Sequence, residues 1–243
     1  MHTCLVSGYQ EKRSNLKVPP DYDLNKRLLI NDDIYTNKIT KGVYELGSVF
    51  KTFTLAAGLH EGIIEPNTEF KNLEKNIRCG KNTIKEYDDK IPSDLTAEEI
   101  LIRSGNIGSV RIAQKVGPEK FKLFLEKVGV LREINFDIEE VAPQKNYDFG
   151  KCRLATAAFG HGVATTILQL AKGYAVLSNG GYEIRPSLIY KENKINKINN
   201  KKILKKGISE QVVSSLRKIV NTEEGTAKFA DVQNYEIGGK TGT

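Results

Sequence analysis

The segment SVFKTFTLAAGLHEG, residues 48–62, is the most apolar helical stretch of the chain and constrains the fold more than any other segment. The segment ends in Gly62, and glycine readily adopts the left-handed conformation at which helices commonly end. A stretch of this kind has to be shielded from water. We therefore predict a buried helix over residues 48–62. Its apolar residues include Phe50, Phe53, Ala56, Ala57 and Leu59.

Helix-type patterns recur further along the chain. They are predicted at AEEILIRS, NIGSVRIAQKVG, PEKFKLFLEKVGV, TTILQLAKGYAVLSNGG and SEQVVSSLRKIVNTEEG. Their starts carry capping or first-turn residues, namely the T-x-x-E pair Thr96 and Glu99, Pro118, Thr165 or Thr166, and Ser209. Gly117 and Gly129 are expected to end two of these helices.

Strand-type patterns are scarce in comparison. Residues 65–95 and 131–150 show no clear period and are expected to be irregular. GYEIRPSLIY is a candidate for a short strand, and VQNYEIGGKTGT alternates weakly, as a strand does. Helices therefore dominate the prediction, with one good strand candidate at the carboxyl end.

Length and cysteine content set broad limits. The 243 residues, 39% of them apolar, suffice for one large domain or two small ones. No apolar run of about 18 residues predicts a membrane span. The start MHTCLVSGYQEKRS lacks the basic and apolar regions of a signal peptide. Cys4, Cys79 and Cys152 are odd in number and far apart, so buried or free thiols are expected rather than a disulfide framework.

The net charge of +7 raises the possibility of nucleic-acid binding. Most of the excess comes from KENKINKINNKKILKK, residues 191–206, whose Lys-, Asn- and Ile-rich composition is typical of a solvated hairpin or loop. The segment lacks the interleaved aromatic residues of a base-stacking surface. The charge is therefore local, and no nucleic-acid partner is expected.

The terminal GGKTGT is compatible with two chemistries. Gly239-Lys240-Thr241 matches the end of a phosphate-binding loop, which requires a glycine five positions earlier and a helix afterwards. Position 234 is Asn234, and no helix-forming segment follows in this sequence. A phosphate loop is therefore disfavoured, and the alternative is one wall of a serine acyl-transfer site.

The pattern Ser-x-x-Lys occurs at Ser14–Lys17, Ser48–Lys51 and Ser215–Lys218. Only the Ser48 copy lies at the start of the most apolar helix, where a backbone N–H can point toward an oxyanion. A lysine packed there loses hydration, and its pKa falls until the amine can act as a base. A simple helix N-cap is the alternative role for Ser48 when it is considered alone.

Two further motifs, Ser104-Gly105-Asn106 and Lys240-Thr241-Gly242, each occur once and follow in order. With Ser-x-x-Lys they form the motif set of penicillin-binding proteins and class A β-lactamases. Four blocks across about residues 18–243 resemble the transpeptidase domain of class B penicillin-binding proteins, in particular the cell-division type. The blocks are GVYELGSVFKTFTLAAGLHEG, LTAEEILIRSGNIGSVRIAQKVG, GHGVATTILQLAKGYAVLSNGG and IGGKTGT.

The resemblance implies an α+β fold of the serine β-lactamase and penicillin-binding-protein type. It assigns a partial transpeptidase domain to residues 18–243 and leaves residues 1–17 unmatched. In the family, further strands and a closing helix follow the Lys-Thr-Gly strand, and a membrane anchor and a pedestal domain precede the transpeptidase domain. The chain is therefore expected to be incomplete at both ends and mostly helical, because most sheet strands are missing.

The resemblance also implies catalytic roles. Ser48 would attack the carbonyl between two D-alanines of a peptidoglycan stem peptide, or a β-lactam ring, and form an acyl-enzyme. Lys51 would be the general base, and Ser104 would relay a proton to the leaving nitrogen. No metal or organic cofactor is implied.

Five other residues would bind the substrate. Asn106 would hydrogen-bond the substrate amide, and Lys240 and Thr241, followed by Gly242, would bind its terminal carboxylate. The backbone N–H groups of Ser48 and Thr243 would form the oxyanion hole.

The expected partners are peptidoglycan stem peptides and β-lactams, with membrane proteins of the division machinery as further candidates. The resemblance places the activity, in septal cell-wall cross-linking, at the outer face of the bacterial cytoplasmic membrane. The alternative is a non-catalytic or acylation-only fragment that needs a complementary segment.

Overall fold

The computed structural model describes residues 37–141, 148–189 and 201–242. Its helices are α1 (Lys51–Glu61), α2 (Ala97–Ile102), α3 (Asn106–Val116), α4 (Pro118–Val128), α5 (Lys151–Ala157), α6 (Ile167–Ser178) and α7 (Ile208–Asn221). Its strands are β1 (Val43–Glu45), β2 (Glu69–Phe70), β3 (Asn76–Cys79), β4 (Asn82–Lys85), β5 (Leu95–Thr96) and β6 (Ala164–Thr166). Short 3₁₀ turns cover Gly47–Phe50 and Lys228–Ala230.

The helix α1 lies at the centre of the core, as its composition predicts. Ten of its eleven residues are buried, and it packs against α2, α3, α4 and α7. It ends at Gly62, which adopts φ 70° and closes the helix with N–H bonds to the last turn. The predicted start at residue 48 is a 3₁₀ turn, so the α-helix proper begins at Lys51.

Two helix starts are confirmed in atomic detail as capping boxes. The Thr96 hydroxyl accepts the N–H of Glu99, and the Glu99 carboxylate accepts the N–H of Thr96. Thr166 and Gln169 form the same reciprocal pair at the start of α6. Each box satisfies N–H groups that the first helical turn would otherwise leave without an acceptor.

The predicted cap of α7 is wrong. Ser209 lies inside the helix, and Gly207 occupies the cap position. The Ser209 hydroxyl instead donates to Leu177 O and accepts from Gly180 N, which ties the end of α6 to the start of α7. The Ser209 hydroxyl therefore makes a tertiary contact with α6 and does not form the cap that the local sequence predicted for α7.

The strand content also differs from the prediction. Residues 65–95, expected to be irregular, contain β2 and the hairpin β3–β4, in which Ile77 pairs with Ile84. Strand β2 pairs with β5, and β1 pairs with β6 with Tyr44 opposite Thr165, all antiparallel. These strands have two to four residues, which is too short for a clear alternation in the sequence.

The two strands that the sequence did predict are not formed. Residues 232–242 run without regular structure, and the chain bonds to α7 through Gly239 N and Leu216 O at 3.1 Å. Residues 181–189 contain only an isolated bridge between Tyr182 and Lys202. An extended segment becomes a strand only beside a second one, and no strand of the described chain lies next to either segment.

The cysteine prediction is wrong as well. Cys79, at the end of β3, forms a disulfide with Cys152 in the first turn of α5, across 73 residues. Wide spacing in sequence therefore concealed a pair that the fold brings together. The bond fastens the β3–β4 hairpin to the helical part of the fold.

Several predictions fall on residues outside the described ranges. They concern Cys4, the Ser14–Lys17 motif, residues 191–200 of the lysine-rich stretch, and Thr243. Among the described residues no helix is both long and apolar enough to cross a membrane. Helix makes up 42% and strand 11% of the residues that the structure describes, so the predicted dominance of helices in an α+β fold is confirmed.

Candidate active site

Ser48 lies on the 3₁₀ turn that leads into α1, and its side chain is partly exposed. The turn packs backbone to backbone against Gly160: Gly47 N donates to Gly160 O at 3.3 Å. A Cβ atom at Gly160 would lie 2.0 Å from Gly47 O, so only glycine fits. Among the described residues the Ser48 hydroxyl has no hydrogen-bond partner, which leaves it available to a substrate.

A buried tyrosine holds the same turn from below. The Tyr174 hydroxyl on α6 donates to Val49 O at 2.7 Å and also bonds the Thr52 hydroxyl at 2.9 Å. Tyr174 is 5% exposed, and its ring packs edge-on against Phe53. The backbone immediately after Ser48 is therefore fixed by a hydrogen bond in the core, a contact that the sequence did not indicate.

Lys51 is buried and directed at Ser104. Its side chain is 1% exposed, and Nζ lies 2.5 Å from Ser104 O and 3.0 Å from Ser104 Oγ. Burial lowers the pKa of Lys51 to about 7, with the positive charge of Lys240 acting in the same direction and Glu86 opposing both. At neutral pH a large fraction of the amine is therefore unprotonated and able to accept a proton.

Ser104 occupies a backbone position that usually belongs to glycine. It follows α2 with φ 58°, and Ser104 N and Gly105 N donate to Leu101 O and Ile100 O. This is a Schellman closure, in which a left-handed residue ends the helix. A non-glycine residue there is strained by roughly 1–2 kcal/mol. In this left-handed conformation the Ser104 side chain points at Lys51 rather than into solvent.

Asn106 begins α3 directly after this turn. Its side-chain nitrogen donates to Lys85 O at 2.8 Å, and its backbone N–H donates to Glu86 Oε2 at 2.7 Å. In the described part of the chain nothing bonds its side-chain oxygen, so Oδ1 can accept an N–H from a substrate. The predicted helix NIGSVRIAQKVG begins at this residue, and the structure places Asn106 at the first position of α3.

The Lys240–Gly242 segment approaches from the other side. Lys240 Nζ donates to Thr241 O at 3.1 Å and contacts Thr241 Oγ1 at 3.3 Å, and burial lowers its pKa to about 7. A Cβ at Gly242 would lie 3.1 Å from a Val49 methyl, so this segment touches the Ser48 turn. Thr243 lies outside the described residues. The predicted wall is therefore beside the turn, although it is not a strand.

The third Ser-x-x-Lys copy is structural. Ser215 and Lys218 on α7 both bond the Glu98 carboxylate on α2, at 2.9 and 2.7 Å. The Lys218 side chain is partly exposed and forms an ion pair with Glu98. These bonds to Glu98 give the copy on α7 a structural role and distinguish it from Ser48 and Lys51.

Two neighbours of the site were missed because they lie in the segment predicted to be irregular. Glu86 caps α3, and the ring centroid of Tyr87 lies 6.0 Å from Lys51 Nζ. The Tyr87 hydroxyl donates to Arg103 O at 2.9 Å, which keeps the half-exposed ring at the entrance. The β3–β4 hairpin brings both residues to the site, and its four-residue strands are too short to be recognised in the sequence.

Comparisons with known proteins identify the family of this chain. The family model of the penicillin binding protein transpeptidase domain matches residues 8–243. The probable peptidoglycan D,D-transpeptidase FtsI of Caulobacter vibrioides is 32% identical over 226 residues, which cover 92% of this chain and 38% of that protein. The probable peptidoglycan D,D-transpeptidase PenA of Neisseria flavescens is 29% identical, covering 92% and 55%. The chain thus spans well under two thirds of these relatives.

Solved structures share the fold. A crystal structure of a peptidoglycan glycosyltransferase from Burkholderia ambifaria matches with a TM-score of 0.78 and 24% identity, covering 88% of this chain and 67% of that one. The apo structure of the TP domain of Burkholderia pseudomallei penicillin-binding protein 3 gives 0.76 and 22%, covering 85% and 62%. The expected fold class is confirmed. The chain belongs to the penicillin-binding-protein transpeptidase domain family, as the class B resemblance of its motifs predicts.

Proposed function

We propose that this chain is a penicillin-binding peptidoglycan D,D-transpeptidase that acts through an acyl-enzyme on Ser48. The observation that carries the proposal is the buried Lys51 amine, with a pKa near 7, bonded to Ser104 and one helical turn after Ser48. A base of this pKa is matched to proton transfer at neutral pH. Relatives that bear the name of D,D-transpeptidase support the same chemistry.

The first half-reaction makes the ester. Ser48 Oγ attacks the carbonyl between two D-alanines while its proton passes to the neutral Lys51 amine. The C–N bond then breaks, and the leaving D-alanine nitrogen receives a proton through the Ser104 hydroxyl. With a β-lactam the same attack opens the ring, and the amine stays attached to the acyl group.

The second half-reaction makes the cross-link. The amine of a neighbouring stem peptide attacks the ester carbonyl and loses its proton to the Lys51–Ser104 pair. The Ser48 oxygen leaves and recovers a proton, so that the enzyme returns to its starting state. The net change is one amide bond broken and one amide bond formed.

Binding is assigned to the groups around this path. Asn106 Oδ1 would accept a substrate N–H, while Lys240 and Thr241, with Gly242 beside the turn, would hold the terminal carboxylate. The oxyanion would be bound by the N–H groups of Ser48 and Thr243. We place the reaction at the outer face of the cytoplasmic membrane in septal wall synthesis, with division-machinery membrane proteins as partners.

The test is acylation by a fluorescent penicillin, followed by a denaturing gel. We expect a covalent band in the parent chain and none in Ser48→Ala, with Ser215→Ala labelled like the parent. Formation of a cross-linked peptide from a stem pentapeptide and an acceptor amine would extend the result to transfer. Absence of labelling in a folded parent chain would reject the proposal.

A second candidate is acylation without transfer. It is favoured by residues 232–242, which form no strand among the described residues, so the carboxylate-binding wall lacks the support of a sheet. Penicillin labelling without formation of the cross-linked peptide would select this candidate over the transpeptidase.

A further inference from the structure

Glu86 binds the start of α3 from another part of the chain. Its two carboxylate oxygens accept Asn106 N at 2.7 Å and Ile107 N at 2.9 Å. These are the first two N–H groups of an eleven-residue helix whose own cap residue, Gly105, has no side chain to offer. A carboxylate at this position satisfies both donors and also meets the positive end of the helix dipole.

The neighbouring residue of the same hairpin holds the Asn106 side chain. Lys85, the last residue of β4, accepts Asn106 Nδ2 through its carbonyl oxygen at 2.8 Å. Backbone and side chain of Asn106 are thus fixed by two consecutive residues. The hairpin itself is anchored by the Cys79–Cys152 disulfide, so it forms a rigid support rather than a free loop.

This support acts on Ser104 through a very short connection. Only Arg103, Ser104 and Gly105 separate α2 from α3, and all three donate N–H bonds back to α2. Glu86 therefore holds the far end of the segment whose near end carries the strained Ser104. A strained residue keeps its conformation only where its surroundings overdetermine it.

We propose that Glu86 is a positioning residue of the active site, whose carboxylate fixes the Ser104–Asn106 segment against Lys51. The assignment of catalytic chemistry to that segment rests on the proposed function. The Lys51 amine contacts Ser104 and the Tyr87 ring. The charge of Glu86 also acts on this amine and raises the pKa of Lys51, against the lowering by burial and by Lys240.

The test compares Glu86→Gln, Glu86→Asp and Asp88→Asn. The last is a matched control, because it removes one carboxylate two residues away that bonds only Lys90 N within the described structure. Three quantities are measured: the titration midpoint of the Lys51 amine by NMR, amide hydrogen exchange at Asn106 and Ile107, and the rate of penicillin acylation. A merely structural role would leave the Lys51 midpoint unchanged.

For Glu86→Gln we expect a lower Lys51 midpoint, faster exchange at both amides and an acylation rate reduced about tenfold to a hundredfold. Glu86→Asp keeps the charge but is one methylene shorter, so its midpoint should stay near the parent value while the rate recovers only in part. Asp88→Asn should behave like the parent in all three measurements.

Parent-like exchange and an unchanged midpoint in Glu86→Gln would overturn the inference. If Glu86→Gln does not fold, Glu86→Asp provides the test. An acylation rate and an amide exchange equal to those of the parent in Glu86→Asp would contradict the positioning role. A parent chain that is not acylated, while Glu86→Gln still shifts the midpoint and the exchange, would reject the proposed function and leave the placement by Glu86 standing.

Discussion

The amine of Lys51 lies 2.5 Å from the carbonyl oxygen of Ser104 and 3.0 Å from the Ser104 hydroxyl. The two residues are 53 positions apart and come from the first turn of α1 and the junction of α2 and α3. The contact joins a buried base to a hydroxyl held in a strained backbone.

Acylation should follow the ionisation of Lys51. Burial and Lys240 lower the pKa of the amine to about 7, and only the neutral amine can accept the Ser48 proton. The acylation rate should therefore rise with pH through about 7 and level off above 8. Stopped-flow labelling from pH 5.5 to 9 measures this profile.

Lys51→Arg serves as the control for that profile, because a guanidinium stays protonated over the whole range. It should abolish labelling at every pH. A rate that falls as pH rises through 7 would show that the charged amine, not the neutral one, is required.

The folded protein should be more stable with glycine at position 104 than with a residue that has a Cβ atom. Ser104→Ala and Ser104→Gly both lack the hydroxyl, but only alanine retains the Cβ that disfavours φ 58°. We expect the glycine variant to be more stable than the alanine variant by about 1 kcal/mol in urea unfolding. Both should lose acylation, and equal stabilities would argue against strain at this residue.

Tyr174→Phe should weaken the Ser48 turn from within the core. The change leaves Val49 O and the Thr52 hydroxyl without their buried partner, which typically costs about 1–3 kcal/mol. Acylation should slow as well, because Val49 directly follows Ser48. Thermal unfolding and labelling rates check both effects, and the exposed Tyr235→Phe should change neither.

The helices of the fold could be predicted from the sequence, whereas the contacts between distant segments could not. The buried helix α1, the capping box at Thr96 and a cap at Thr165 or Thr166 were predicted, because apolar periodicity and caps are local properties of the chain. Ser209 was misassigned because its hydroxyl bonds a carbonyl 32 residues away. Local patterns carry no information about such partners.

The site itself shows the same division. Ser48, Lys51, Ser104 and Asn106 were predicted as site residues from short motifs, since each motif keeps its residues within one turn of chain. Glu86 was missed because it acts on Asn106 through a hairpin whose strands are too short to alternate visibly. The Cys79–Cys152 pair was missed for a related reason, as only the folded chain brings its two halves together.

The lowered lysine pKa should also appear in the stability of the fold. In the unfolded chain a lysine titrates near 10.4, whereas folded Lys51 titrates at about 7, so between these values the unfolded state binds more protons. Unfolding free energy should therefore rise with pH across this window. For one such group the gain from pH 7 to 9 is about 2 kcal/mol.

Lys51→Met removes the titrating group and supplies the comparison. The parent should gain stability relative to this variant as pH rises from 7 to 9, measured by denaturant unfolding at each pH. A constant difference between the two proteins would mean that Lys51 keeps a normal pKa in the folded state.

The disulfide should contribute strongly to stability because it closes a long loop. Cys79 and Cys152 are 73 residues apart, and restricting the unfolded chain over that distance is worth about 4 kcal/mol in the chain-entropy description. Cys79→Ser, Cys152→Ser and the double variant should each lower the unfolding free energy by a similar amount, because either single change already breaks the bond. A reducing agent should destabilise the parent and Cys4→Ser but leave the double variant unchanged. Full stability in the double variant would show that the hairpin is held by its other contacts, among them the bonds from Lys85 and Glu86 to Asn106.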